Sequence, residues 1–179
     1  MLGFGAAYDI DNPKSMKGSY YLIEMLQKLS APEKYFLVIF GPASDAFTRK
    51  VSIPFFASGY VANPYILAVL YSLCDCIVNP SLIENLPYTC LEAASCGVPS
   101  VAFDVGGISD IVSKKETGML CRPYEVDGLL EGVDYCVRHH DELSEGGLKK
   151  VCADFKTTDT VKKFSEIYKT AIRMMGLAV

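Results

Sequence analysis

At 179 residues the chain can bury a core of its own and falls within the range of one domain. Half its residues are hydrophobic and about a fifth charged; a net charge of −4 with no basic run argues against nucleic acid as a partner. The longest apolar stretches, such as 35–40, are too short to span a bilayer, and the Met-Leu-Gly-Phe-Gly start lacks the basic and apolar regions of a signal peptide. Seven cysteines is an odd number, and none shows C-x2-C metal spacing. They read as buried reduced thiols in a cytosolic compartment, with Cys74 and Cys76 on one face of a strand.

Residues 2–7 read as a strand that begins at once, which predicts that the chain is a piece of a longer protein. Gly3-x-Gly5-x-x-Tyr8 is a near miss of the dinucleotide fingerprint, with tyrosine where the third glycine allows close helix packing; an NAD site is not expected. Asp9-Ile10-Asp11 could hold a divalent ion against a diphosphate, as in metal-dependent glycosyltransferases of the GT-A fold, but Asp-Asn-Pro is also turn chemistry, and no metal is expected. Lys17-Gly18 opens a helix with Leu22, Met25, Leu26 and Leu29 at i, i+3, i+4 and i+7.

Residues 35–40 predict a second buried strand, stopped by Gly41-Pro42. The segment 44–50 is too short for a full crossover helix. Residues 53–57 predict a third strand, placed at an edge by Pro54. Residues 65–73 read as a helix, and Cys76-Ile77-Val78 as a strand ended by the turn cluster Asn79-Pro80-Ser81.

The stretch 84–107 follows, and it carries the chemistry. Pro87 suits the first position of a helix, with Leu86 as N-cap because a residue before proline avoids helical angles. The helix runs to Cys96, Gly97 fits the left-handed position beyond it, and 100–103 is the next strand. The amides of Leu86, Tyr88 and Thr89 then have no partner inside the helix and sit at the positive end of its dipole, an anion site suited to phosphate. Glu84 stands just before that site and Glu92 about one and a half turns inside it. Carboxylates repel phosphate, so the two acids better fit hydroxyls at either end of a diphosphate ligand. A diphosphate flanked by hydroxyl-bearing groups is a sugar nucleotide.

After Val105-Gly106-Gly107 come a helix at 108–112, a short strand at 117–121, and a helical stripe of Val126, Leu129, Leu130, Val133 and Val137 that reads as core. His139 and His140 suit the dipole at that helix end and need no catalytic role. Glu145-Gly146-Gly147 predicts a break before a final helix, about 157–174, with Val161, Phe164, Tyr168 and Ile172 on one face. Alternating strands and helices give an α/β fold, a Rossmann-like doubly wound parallel sheet in a single domain, with ligand at the carboxyl ends of the strands.

Glu84-x7-Glu92, preceded by Pro80-Ser81 and followed by Cys96-Gly97-Val98-Pro99 and Val105-Gly106-Gly107-Ile108, resembles the C-terminal half of a GT-B glycosyltransferase, most of all the retaining E-x7-E enzymes of glycosyltransferase family 4. Tyr71-Ser72-Leu73-Cys74-Asp75 matches the family's entry into the Pro-Ser strand. The resemblance implies a donor-binding domain of a hexosyltransferase, retaining and metal-independent, with no cofactor beyond its nucleotide-sugar substrate and a part in polysaccharide biosynthesis. A UDP-sugar is favoured by frequency of use in the family. The implied partners include an unidentified acceptor and an N-terminal acceptor domain that this chain lacks, so the chain alone is expected to be inactive. Localisation at the inner membrane face is common in the family, though no residue here shows it.

By the same resemblance Glu84 is the catalytic residue, bonding the donor-sugar hydroxyls near the reacting carbon, and Glu92 bonds the ribose. Lys17, Asn85, Leu86, Tyr88 and Thr89 hold the donor, and Tyr60 and Val61, after Gly59, lie at the base. The Val105-Gly106-Gly107 loop walls the sugar; from the residues alone it is equally a tight turn. The arginine that many members place near the lysine is missing: Met16 and Asn12 stand there, and only Lys14 could substitute. A GT-B sugar-nucleotide epimerase or a non-catalytic nucleotide-sugar-binding domain would share the same phosphate site.

Overall fold

The computed structural model describes residues 1–5 and 10–175. Its six strands are β1 (Leu2–Phe4), β2 (Leu37–Ile39), β3 (Phe55–Ala57), β4 (Cys76–Asn79), β5 (Ser100–Phe103) and β6 (Gly118–Cys121). All neighbouring pairs are parallel, in the order β3-β2-β1-β4-β5-β6. Parallel strands need crossovers, and the crossovers cover both faces, which is why the interior strands read as unbroken apolar runs rather than alternating ones. β3 lies at the edge with exposed side chains, as Pro54 predicts.

The helices are α1 (Ser19–Gln27), α2 (Asp45–Thr48), α3 (Pro64–Ser72), α4 (Tyr88–Ser95), α5 (Ile108–Ile111), α6 (Val126–Arg138), α7 (His140–Asp154) and α8 (Thr157–Met174). Leu22, Met25 and Leu26 of α1 and Leu129 and Val133 of α6 pack with Cys76, Val78 and Phe103 on one face of the sheet. Tyr71 of α3 and Ala93 of α4 pack with Val38 and Ile77 on the other. Each fully buried Leu or Phe in these layers contributes about 1.5–3 kcal/mol. The change of direction falls between β1 and β4, where β1 has strands running away on both sides, and there the carboxyl ends open a crevice for a ligand.

Five expectations need correction. Cys74 and Cys76 lie in opposite layers, because Cys74 belongs to the turn after α3, its amide bonding the Tyr71 carbonyl at 2.8 Å, rather than to β4. The thiols are free; burial pushes Cys90 up to about 11 and Cys74 and Cys121 to about 12, while Cys152 is exposed. In α6, Val137 faces solvent and the buried face is completed by Gly132 and Cys136. The predicted break at Glu145-Gly146-Gly147 does not occur: α7 runs through it. Both glycines are contact points, since a Cβ on Gly146 would collide with the Glu116 carbonyl and Gly147 packs against Ala94 of α4. The fifth correction, at the start of α4, bears on the site. The apolar side chains of α8 stay outside the core, with Val161, Phe164 and Tyr168 exposed.

Candidate functional site

The crevice begins with the loop before α1. Gly18 adopts φ +65°, and a Cβ there would strike the Pro80 carbonyl, so the loop packs directly on the end of β4. The Leu82 amide donates to the Met16 carbonyl at 2.8 Å and ties the two segments together. That contact delivers Lys17: its Nζ stands 2.6 Å from Glu84 Oε1. Glu84 is only 11% exposed, against 55% for Lys17. Ser81, buried, donates its hydroxyl to the same Oε1 at 3.1 Å. The turn beneath is set by Asn79, whose Oδ1 accepts the Ser81 amide at 3.2 Å.

The Val105-Gly106-Gly107 loop supports the other side of Glu84. A Cβ on Gly106 would collide with the Glu84 carbonyl, and one on Gly107 with that of Asn85. The Gly107 amide donates to the Glu84 carbonyl at 3.3 Å. Neither side of the 84–85 backbone could be this close to a residue with a side chain.

α4 starts one residue later than the sequence suggests. Pro87, at φ −74° and ψ 98°, is itself the N-cap, and its carbonyl accepts the amides of Cys90 and Leu91. Proline fixes φ but leaves ψ free, so it can end the extended segment as readily as begin the helix. Leu86 therefore lies outside the helix, half-buried against the Ala102–Ile108 cluster, and its amide is not a helix-start donor. Tyr88 and Thr89 carry the first two helical amides, which have no partner within the helix. Tyr88 and Asn85 are exposed.

Two adjoining cavities open here. The smaller, about 50 Å³, is lined by Gly5, Lys17, Asn79, Ser81, Glu84 and Thr89. The larger, about 340 Å³, shares Gly5, Lys17 and Thr89 and extends past Tyr71 and Glu92 to Gly59, Tyr60 and Val61. Glu92 Oε2 accepts the Tyr71 hydroxyl at 2.7 Å. Each acid thus has one oxygen held by a protein donor, while Glu84 Oε2 and Glu92 Oε1 have no hydrogen-bond partner among the described residues. An ammonium and a helix start suit an anion, and two free carboxylate oxygens suit hydroxyl donors.

Other expected residues lie apart. Asp11 pairs with Lys50 through its carboxylate, and Asp9, like Tyr8, is outside the described residues. Lys14 is exposed, its amide capped by Asn12 at 2.9 Å. Among the described residues no group of three or more His, Cys, Asp or Glu side chains is placed to hold a metal ion. No helix among them is long and apolar enough to cross a membrane. Sequence reasoning missed Ser81 and Tyr71 as site residues, and Gly41 and Ser58 at the far wall of the larger cavity. The switch-point rule could have pointed to Gly41, two residues past the end of β2, the strand beside β1; nothing in the sequence pairs Tyr71 with Glu92.

A doubly wound sheet with this crevice matches the Rossmann-like C-terminal domains of GT-B glycosyltransferases. The chain superposes on the C-terminal domain of the group 1 glycosyl transferase LpcC from Francisella tularensis with TM-score 0.66 and 18% identity, over 87% of this chain and 86% of that one. It superposes on Anabaena HepE, solved with UDP and glucose, with TM-score 0.78 and 19% identity, over 94% of this chain and 48% of HepE. Residues 9–139 match the family described as Glycosyl transferases group 1, and the chain belongs to that family. An uncharacterised glycosyltransferase of Methanocaldococcus jannaschii is 28% identical over 176 residues, 89% of this chain and 43% of that protein. The chain spans less than half the length of that relative.

Proposed function

We propose that the chain is the C-terminal, donor-binding domain of a retaining glycosyltransferase of the family 4, E-x7-E type, taking a nucleoside-diphosphate hexose, with UDP-sugars favoured. One observation carries the reading: Lys17 and the start of α4 lie where two cavities adjoin, with Glu84 in one and Glu92 in the other. A diphosphate at the junction would meet the ammonium and the Tyr88 and Thr89 amides. The donor sugar would enter the smaller, deeper space beside Glu84. The ribose would lie at Glu92, and the base toward Tyr60 and Val61. The likeness to HepE, which was solved with UDP and glucose, supports a uridine donor.

Lys17 need not leave Glu84 to serve the phosphates. An ammonium has three N–H donors and can keep the carboxylate while bonding phosphate oxygens. As the glycosidic bond breaks, charge grows on the leaving diphosphate. Lys17 and the helix amides stabilise it, which is the work a metal would otherwise do. The acceptor and its domain lie beyond this chain, in the half that it does not share with its longer relatives. On this reading the isolated chain binds the donor and transfers it poorly or not at all, and the whole protein acts in the cytoplasm in polysaccharide biosynthesis.

The two acids should separate in binding experiments. Hydrogen bonds to charged groups contribute about 1.5–3 kcal/mol each. Glu92→Ala is expected to weaken UDP and UDP-glucose alike by about tenfold or more. Glu84→Ala is expected to weaken UDP-glucose but not UDP. Isothermal titration calorimetry with both ligands checks this, and matching losses in the two variants would contradict the assignment.

A further inference from the structure

We propose that Tyr71 is a positioning residue for nucleotide recognition: it fixes the Glu92 carboxylate so that the second oxygen is presented to the ribose. The proposal rests on the preceding reading for what Glu92 binds. The geometry comes from two neighbouring helices on one face of the sheet. Tyr71 is near the end of α3, only 2% exposed, and its ring stacks on Phe40 with centroids 4.2 Å apart and planes 23° from parallel. A phenol held on its face and packed among Val38, Ile77 and Ala93 has little freedom to turn. Its hydroxyl reaches Glu92 Oε2 on α4 at 2.7 Å.

The direction of that bond is fixed. Burial pushes the Tyr71 hydroxyl far above the usual phenol range, and its bond to Glu92 adds to the shift. The phenol therefore stays protonated and donates, while the carboxylate only accepts. A glutamate side chain has three rotatable bonds and, without a partner, would sample several orientations over the cavity. With Oε2 tethered, Oε1 is left toward the 340 Å³ cavity that both residues line together with Tyr60 and Val61. Pre-ordering of this kind strengthens binding by lowering the entropy lost when the ligand arrives.

The test is the Tyr71→Phe variant, which keeps the ring and its stack on Phe40 and removes one hydroxyl. Affinities for UDP and for 2′,3′-dideoxy-UDP are measured by calorimetry on wild type and variant, with a thermal melt to confirm that the variant is folded. Tyr71→Phe should weaken UDP about three- to tenfold and leave the dideoxy analogue unchanged. In a Glu92→Ala background the same substitution should cost nothing further, because the two residues act as one unit. Equal losses for both ligands, no loss for UDP, or the same loss with and without Glu92 would each overturn the proposal. Those outcomes leave the nucleotide-sugar reading standing. Wild-type chain that binds neither ligand would overturn that reading as well.

Discussion

Lys17 and Glu84 meet because of a residue that touches neither ligand nor charge. Gly18 allows the chain to turn at positive φ directly against the Pro80 carbonyl, and Ser81 then completes the set of donors on Glu84. A side chain at position 18 carries two penalties, left-handed backbone and collision with main chain. Gly18→Ala should therefore destabilise the fold by about 1–3 kcal/mol, read as a lower urea midpoint at unchanged slope. An unchanged midpoint would mean that the loop does not pack as described. At this scale the sequence pointed to Glu84 and Glu92 because their spacing around a helix start is local, and the structure places one in each of the two adjoining cavities. Lys17 needed the family resemblance. Ser81 and Tyr71 were not legible as partners of the two acids, since those bonds depend on how separate turns and helices meet.

Elements were readable where local pattern and burial agree. The apolar runs became strands, Pro54 marked an edge, and the stripe of α1 became core. Two of the errors, in α7 and α6, share one cause. A pair of glycines reads as a helix breaker because each costs about 1 kcal/mol against alanine in an isolated helix. In α7 tertiary contact overrides that preference: Gly146 admits the Glu116 carbonyl, and Gly147 lies against Ala94 of α4. In α6 likewise Gly132 and Cys136, weak signals in a hydrophobic pattern, take the face that Val137 was expected to share. Gly146→Val should lower the melting temperature by several degrees, because the overpacking cost of about 1–3 kcal/mol falls on backbone that cannot move aside. A melting temperature equal to or above wild type would show that α7 is free to shift away from the 116–117 turn.

At the scale of the molecule, one topological fact organises the rest. The strand order reverses between β1 and β4, and Lys17, Tyr60, Val61, Glu84, Thr89 and Glu92 line the cavities at the carboxyl ends around that reversal. That α/β order was legible because strands and helices alternate along the chain. The shape of the crevice was not, since it depends on the 16–18, 80–87 and 105–107 loops pressing on one another. Its division into a tight space at Glu84 and a wider one at Glu92 is what makes a two-part ligand the natural occupant. The most direct measurement is a thermal-shift panel of UDP-, GDP- and ADP-sugars on the chain, because a ligand that binds only the folded state raises its melting point. The account predicts a concentration-dependent rise with a UDP-sugar that needs at least about tenfold more ligand in Glu92→Ala. No rise with any member of the panel, at concentrations where the chain is folded, would contradict it.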